Sequence, residues 1–221
     1  MNRFLNALLL FLLFPTMALT VFVGFDLPVD FLKVSGSNIP YRNEVFLVLG
    51  LFLLLINLRR SIRRWMGMNI VNKTSRFSWN EEVSKERRLR VYVYNGLEAL
   101  VMTAVGTALF TVSPEAWFPA TALWFGAFDN VIFTLVGLSG GKYRAGITSK
   151  AVILADRDVQ LVYFSGLRKV TIHQDSIYFD YIKGLQLSIP LDSIEQGQRD
   201  TFFETLEKQI DRDKVFITKN R

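Results

Sequence analysis

The chain has 221 residues, half of them hydrophobic, with 26 Lys/Arg against 20 Asp/Glu, no cysteine and one histidine. The lack of cysteine excludes disulfides, thiolate zinc sites and iron–sulfur clusters, and His173 alone cannot build a His-cluster metal site, so no metal or other cofactor is expected. The net charge of +6 divides as +4 over 1–141 and +2 over 142–221, which leaves no concentrated basic face for nucleic acid.

The apolar content lies before residue 139 and falls into four segments. Phe4–Phe25 is uncharged for 22 residues and is interrupted by Pro15. At about 1.5 Å per residue it covers the ~30 Å hydrocarbon core of a bilayer. It is longer than a signal-peptide core, and no small-x-small cleavage site follows it, so it reads as a retained span kinked at Pro15. Val45–Leu58 has only 14 uncharged residues. Tyr41 at one end and the stems of Arg59 and Arg60 at the other lengthen its effective span.

Residues 59–90 carry ten Lys/Arg against three acidic residues, between apolar runs on both sides. Loops retained on the cytoplasmic side of a membrane have this bias. Helical continuation past Leu58 places Leu58, Ile62, Trp65 and Met66 on one face and Arg59, Arg60, Arg63 and Arg64 on the other. With Trp65 at the border, that pattern suits a helix lying on anionic lipid headgroups, and it equally suits arginines that only fix topology. Ser78-x-x-Glu81 has the form of a capping box opening a helix that runs into the third span. The third and fourth spans cover about 91–112 and 117–138, and the turn at 113–116 forces a tight antiparallel hairpin. Basic-residue bias then predicts four crossings of a cell inner membrane, with both termini and the 59–90 loop inside.

Gly140-Gly141 ends the fourth segment, and 142–221 reads as a separate cytoplasmic domain beside a four-span domain over 1–139. Tyr143–Thr148, Ala151–Leu154, Gln160–Phe164, Val170–His173, Ser176–Tyr181 and Leu185–Ile189 are short runs rich in β-branched and aromatic residues, separated by turn residues. Phe202, Phe203, Leu206 and Ile210 then recur at helical spacing. A small, mainly β domain closed by one helix is expected.

Gly146-Ile147-Thr148-Ser149-Lys150-Ala151-Val152-Ile153-Leu154 resembles the opening hairpin of bacterial pleckstrin-homology-like domains. The runs around 167–172, 176–181 and 185–194 leading into 201–210 suit that fold's order. The resemblance covers about a third of the chain. It implies a binding or scaffolding module in a membrane protein, not an enzyme. Eukaryotic relatives bind phosphoinositides through Lys/Arg on the first hairpin, where this chain offers Lys142, Arg144 and Lys150.

Glu98 and Asp129 are the candidate functional acids, because ionisable groups inside a span are costly and are kept for a reason. In the hairpin both fall at similar depth in the cytoplasmic half of the bilayer. Two readings stand open. Glu98, Asp129, Asn95 and Asn130 form a polar site that binds a cation or lines a pore, or they hydrogen-bond across helices and pair with Arg59, Arg60 or Arg90. Asp156-Arg157-Asp158 and Asp211-Arg212-Asp213 read as turns. Two functions follow as expectations. One is an oligomeric membrane scaffold or regulatory subunit that presents the domain to a protein partner. The other is an oligomeric channel gated by that domain.

Overall fold

A computed structural model describes residues 18, 22, 24–26, 40–173, 175–211 and 215–219. Nearly all of the expected first span, and Arg212 and Asp213, lie outside the described residues. The chain forms two compact units. One holds residues up to Ser61 with Leu97–Asn130, the other Ile62–Gly96 with Val131–Arg221.

Among the described residues, three helices are long and apolar enough to cross a membrane: α1 (Arg42–Val71), α2 (Lys85–Val112) and α3 (Trp117–Ser139), the last preceded by a 3-10 turn at Pro114–Ala116. Their length and apolar composition make the chain a membrane protein. Its helices expose Leu51, Leu55, Leu97, Leu100 and Phe128, the reverse of a water-soluble bundle. In the first unit Phe46, Leu53, Leu109, Ala116, Ala122 and Leu123 form the core. Small residues allow the close packing on which helix association in lipid depends. A Cβ on Gly50 would lie 2.6 Å from the Phe118 ring, and one on Gly106 would lie 2.8 Å from Trp124.

The second unit carries two four-stranded sheets. β1 (Trp79–Glu82), β2 (Arg144–Ile147), β3 (Ala151–Ala155) and β4 (Val159–Tyr163) pair antiparallel in that order. β5 (Leu167–His173), β6 (Ser176–Tyr181) and β7 (Gln186–Pro190) pair antiparallel, and β8 (Phe216–Lys219) joins the outer side of β5 in parallel. Helix α4 (Arg199–Gln209) buries Phe202 and Leu206, with Ile210 buried just beyond it and Phe203 half-buried. The six strand runs and the closing helix fall where the spacing put them, within a few residues at each end.

Segment 59–90 is helical at both ends, as expected, and departs from the expectation in between. α1 continues to Val71, and β1 rises from the middle of the segment to pair with β2, Trp79 opposite Ile147 and Glu82 opposite Arg144. The expected capping box at Ser78 therefore opens a strand. Trp79 is buried with its ring edge-on to Phe202 at 5.0 Å, a contact a helix here would forfeit. The true cap of α2 is Ser84, whose Oγ accepts the Arg87 N–H at 3.1 Å. At the other end, Gly141 with φ +56 closes α3, and the Lys142 N–H reaches back to the Gly137 carbonyl at 3.0 Å, a Schellman-type stop.

β3 is buried at all five positions. Val152 and Leu154 join the main core with Ala145, Ile147, Val162, Phe179 and Phe202. Ile153 and Ala155 pack on the other face with Val71, Phe77 and Val159. α1 approaches that face closely, since a Cβ on Gly67 would lie 2.0 Å from Val159. β4 is an outer strand, and two of its carbonyls are held by side chains. Arg63 Nη2 donates to Val159 at 3.3 Å, and the Tyr181 hydroxyl donates to Tyr163.

Candidate functional site

In the first unit three polar side chains near the end of its share of α1 lie on one inward stripe. Asn57, Arg60 and Ser61 recur at i, i+3 and i+4, and each meets a partner on α2 or α3. Arg60 forms a two-pronged ion pair with Glu98, with Nη1 on Oε1 and Nη2 on Oε2 at 2.8 Å. Between a fifth and a quarter of each side chain remains exposed. Ser61 Oγ donates to Asp129 Oδ1 at 2.7 Å. Asn57 Nδ2 donates to the Ala122 carbonyl at 3.0 Å, beside Gly126, where a Cβ would crowd the Asn57 amide at 3.0 Å. Asn130 is buried in the same unit.

Each acid thus has its own partner on α1. Of the arginines expected to pair with the acids, Arg60 meets Glu98. Ser61 as the donor to Asp129 was missed, although it follows Arg60 directly on the inward stripe. A guanidinium and a carboxylate inside an apolar bundle satisfy each other, and removal of either partner strands the other's charge at a cost of about 3–5 kcal/mol when fully buried, less here where solvent reaches the pair.

Asn95 belongs to the second unit. It is buried, and its Nδ2 donates to Thr134 Oγ1 at 2.9 Å. Arg64 is also buried there, its guanidinium 4.6 Å from the centre of the Phe133 ring. Trp65 meets Phe133 edge-on at 5.4 Å, and the Tyr143 hydroxyl donates to the Phe133 carbonyl at 3.1 Å. Burial of Tyr143 pushes its phenol up to about 12.

The expected arginine face is therefore corrected. Arg59 and Arg63 are exposed, whereas Arg60 and Arg64 turn inward to Glu98 and Phe133. Arg64 is buried, Arg60 is held two-pronged by Glu98, and Trp65 is half-buried against Phe133. Helical spacing gives the reason: Arg60 and Arg64 are four apart and share a stripe with Asn57.

A second polar cluster ties the start of α2 to the turn between β3 and β4 and to the segment after β7. Arg87 Nε pairs with the buried Asp156 at 2.7 Å, and Arg90 Nη1 with Asp192 at 2.7 Å. Ser84 Oγ donates to the Asp192 carbonyl at 2.5 Å. The Asp156-Arg157-Asp158 turn thus also supplies a buried counterion. Of the hairpin cations, Arg144 is taken up by Asn80, through both Oδ1 and the carbonyl, and by Glu82 at 3.9 Å. The chain matches no family model, and neither the curated proteins nor the solved structures give a match.

Proposed function

We propose that the protein is a four-span scaffold or regulatory subunit of a cell inner membrane. It presents a cytoplasmic pleckstrin-homology-like module to a protein partner and works within a homo- or hetero-oligomer. Both termini lie inside, with Phe4–Phe25 as the first span. No catalytic step and no cofactor belongs to this reading. The ten basic residues in 59–90 support the orientation. Two small, mainly antiparallel sheets followed by a helix support the module, with β1 and β8 as additions to the resembling pattern.

One observation carries the choice of scaffold over channel. Glu98 is matched by Arg60, and Asp129 accepts from Ser61. An acid that lines a cation path has to offer its charge to the passing ion, and an arginine held two-pronged on Glu98 opposes that. The test is reconstitution into planar bilayers alongside extraction in mild detergent. The wild type should pass no current and should co-purify in a complex of fixed stoichiometry. A reproducible cation current that disappears in Asp129→Asn would establish the channel instead. Reporter fusions after residues 35, 75, 115 and 221 should read out, in, out and in.

A further inference from the structure

The outward face of α1 stays apolar beyond the length of a single span. Its exposed side chains step through Leu51, Leu55, Leu58, Ile62, Met66 and Ile70, at intervals of three or four. With 30 residues the helix is about 45 Å long, against ~30 Å for the hydrocarbon core. Ile62, Met66 and Ile70 therefore reach the headgroup layer or beyond it, yet they are 41–59% exposed. In water that exposure is unfavourable. At the acyl–headgroup boundary it is favourable.

A strand of the second unit lies against the same part of α1. Val159 of β4 is packed against Gly67, and its carbonyl accepts from Arg63. Val159, Leu161 and Tyr163 alternate onto one face of the strand. Val159 is covered there, while Leu161 and Tyr163 are 40% and 56% exposed. At the turn entering β4, the Arg157 guanidinium lies 5.4 Å from the centre of the Tyr94 ring on α2. Tyr94 is half exposed, an amphipathic ring of the kind that gathers at membrane interfaces.

From this we infer that the second unit has its own lipid-binding surface. Ile62 and Met66 of α1 and Leu161 and Tyr163 of β4 enter the interfacial layer, and Arg63 and Arg157 meet the phosphates of anionic phospholipids. Three observations favour a lipid leaflet as the occupant. The apolar stripe is continuous with the lipid-facing stripe of the same helix. Two arginines, Arg63 and Arg157, flank it, against the single exposed acid Asp158 of the turn entering β4. The aromatic residues Tyr94 and Tyr163 border the apolar ones. The surface differs from the arginine face expected from sequence, since Arg60 and Arg64 are withdrawn and the β3–β4 hairpin is added. It needs only that the helices span a membrane, and it stands whether the protein is a scaffold or a channel.

The chain is free of cysteine, so single cysteines at exposed positions can carry a fluorophore with little risk to folding. Leu51→Cys, Met66→Cys, Leu161→Cys and Ser188→Cys would be labelled in the full chain. They would then be reconstituted into nanodiscs of phosphatidylcholine, alone or with about a third phosphatidylglycerol, each doped with brominated lipid. Leu51 reports the span itself and Ser188, on the solvated face of β7, reports water. The labels on Met66 and Leu161 should be quenched several-fold more than that on Ser188. Phosphatidylglycerol should strengthen the quenching, and Arg63→Gln with Arg157→Gln should remove that gain. Quenching of Leu51 together with Leu161 at the Ser188 level would overturn the proposal and leave the span intact. A Leu161 label shielded from aqueous iodide but not reached by brominated lipid would also overturn it, in favour of a protein on this face. Loss of quenching at Leu51 would overturn the membrane reading itself.

Discussion

The two sheets of the second unit are built from strands of opposite texture. β3 reads Ala-Val-Ile-Leu-Ala and is buried throughout, whereas β5 reads Leu-Arg-Lys-Val-Thr-Ile-His and exposes Arg168, Lys169 and His173. A strand with no polar face needs cover on both sides, and one with alternating polarity needs it on only one. In the first sheet the second cover comes from the end of α1 and from Phe77, far upstream in sequence. The β unit is therefore not a domain appended after the helices. It depends on the segment between the first two of them.

The most severe test of this difference is removal of that segment. Residues 142–221 alone lack β1, Val71, Phe77 and Trp79, so β2 has a bare edge and β3 a bare apolar face. The fragment should show no cooperative unfolding by circular dichroism. A sharp transition would mean that the first sheet does not need its second cover. Next in size, Ile153→Ala should cost about 2–5 kcal/mol in denaturant unfolding of the full chain, as a core truncation does. Lys169→Ala, on the solvated face of the second sheet, should stay within about 0.5 kcal/mol. Equal effects would erase the contrast.

A smaller change probes the contact of α1 with β4. Gly67→Ala forces a Cβ into Val159 and should cost about 1–3 kcal/mol. Gly96→Ala, where no atom lies within 4 Å of the new Cβ, should be neutral or stabilising by up to about 1 kcal/mol. The weakest effect appears only in alkali. Burial raises both Tyr143 and Tyr181 to about 12 from the ordinary 10. A raised phenol leaves stability unchanged below pH 10, and stability is then lost as pH rises from 10 toward 12, where the unfolded chain ionises first. Tyr143→Phe should flatten that loss without moving the midpoint's pH dependence at neutral pH. An unchanged alkaline limb would show that Tyr143 is not shielded.

Much of this architecture is legible in the residues. The runs from 143 to 189 mark strands because they are rich in β-branched and aromatic residues between turn residues, and the stripe Phe202, Leu206, Ile210 marks a helix by its spacing. β1 was not legible. Trp-Asn-Glu-Glu has no apolar alternation, and its strand conformation is imposed by pairing with Arg144–Ile147, more than sixty residues away. β8 was missed for a similar reason: Phe216–Lys219 is only four residues long and pairs in parallel with β5. At the candidate site, Glu98 and Asp129 stood out because charge is rare in apolar runs. Of their partners, Arg60 stood among three candidate arginines, and Ser61 did not stand out, since it sits where an interfacial flank was expected. The polar stripe Asn57, Arg60, Ser61, Arg64 was the available signal, and the count of arginines obscured its direction.

The two side chains on the outer strand β4 have a consequence for the protein at high density. An exposed strand rim is a template on which another extended chain can grow. Here the carbonyls of Val159 and Tyr163 are occupied by Arg63 and Tyr181 from within the same molecule. An incoming strand would have to displace both before it could zip along β4. Crowded copies should therefore resist cross-β growth along this rim, and loss of Arg63 or the Tyr181 hydroxyl should first show itself as shortened shelf life in concentrated samples.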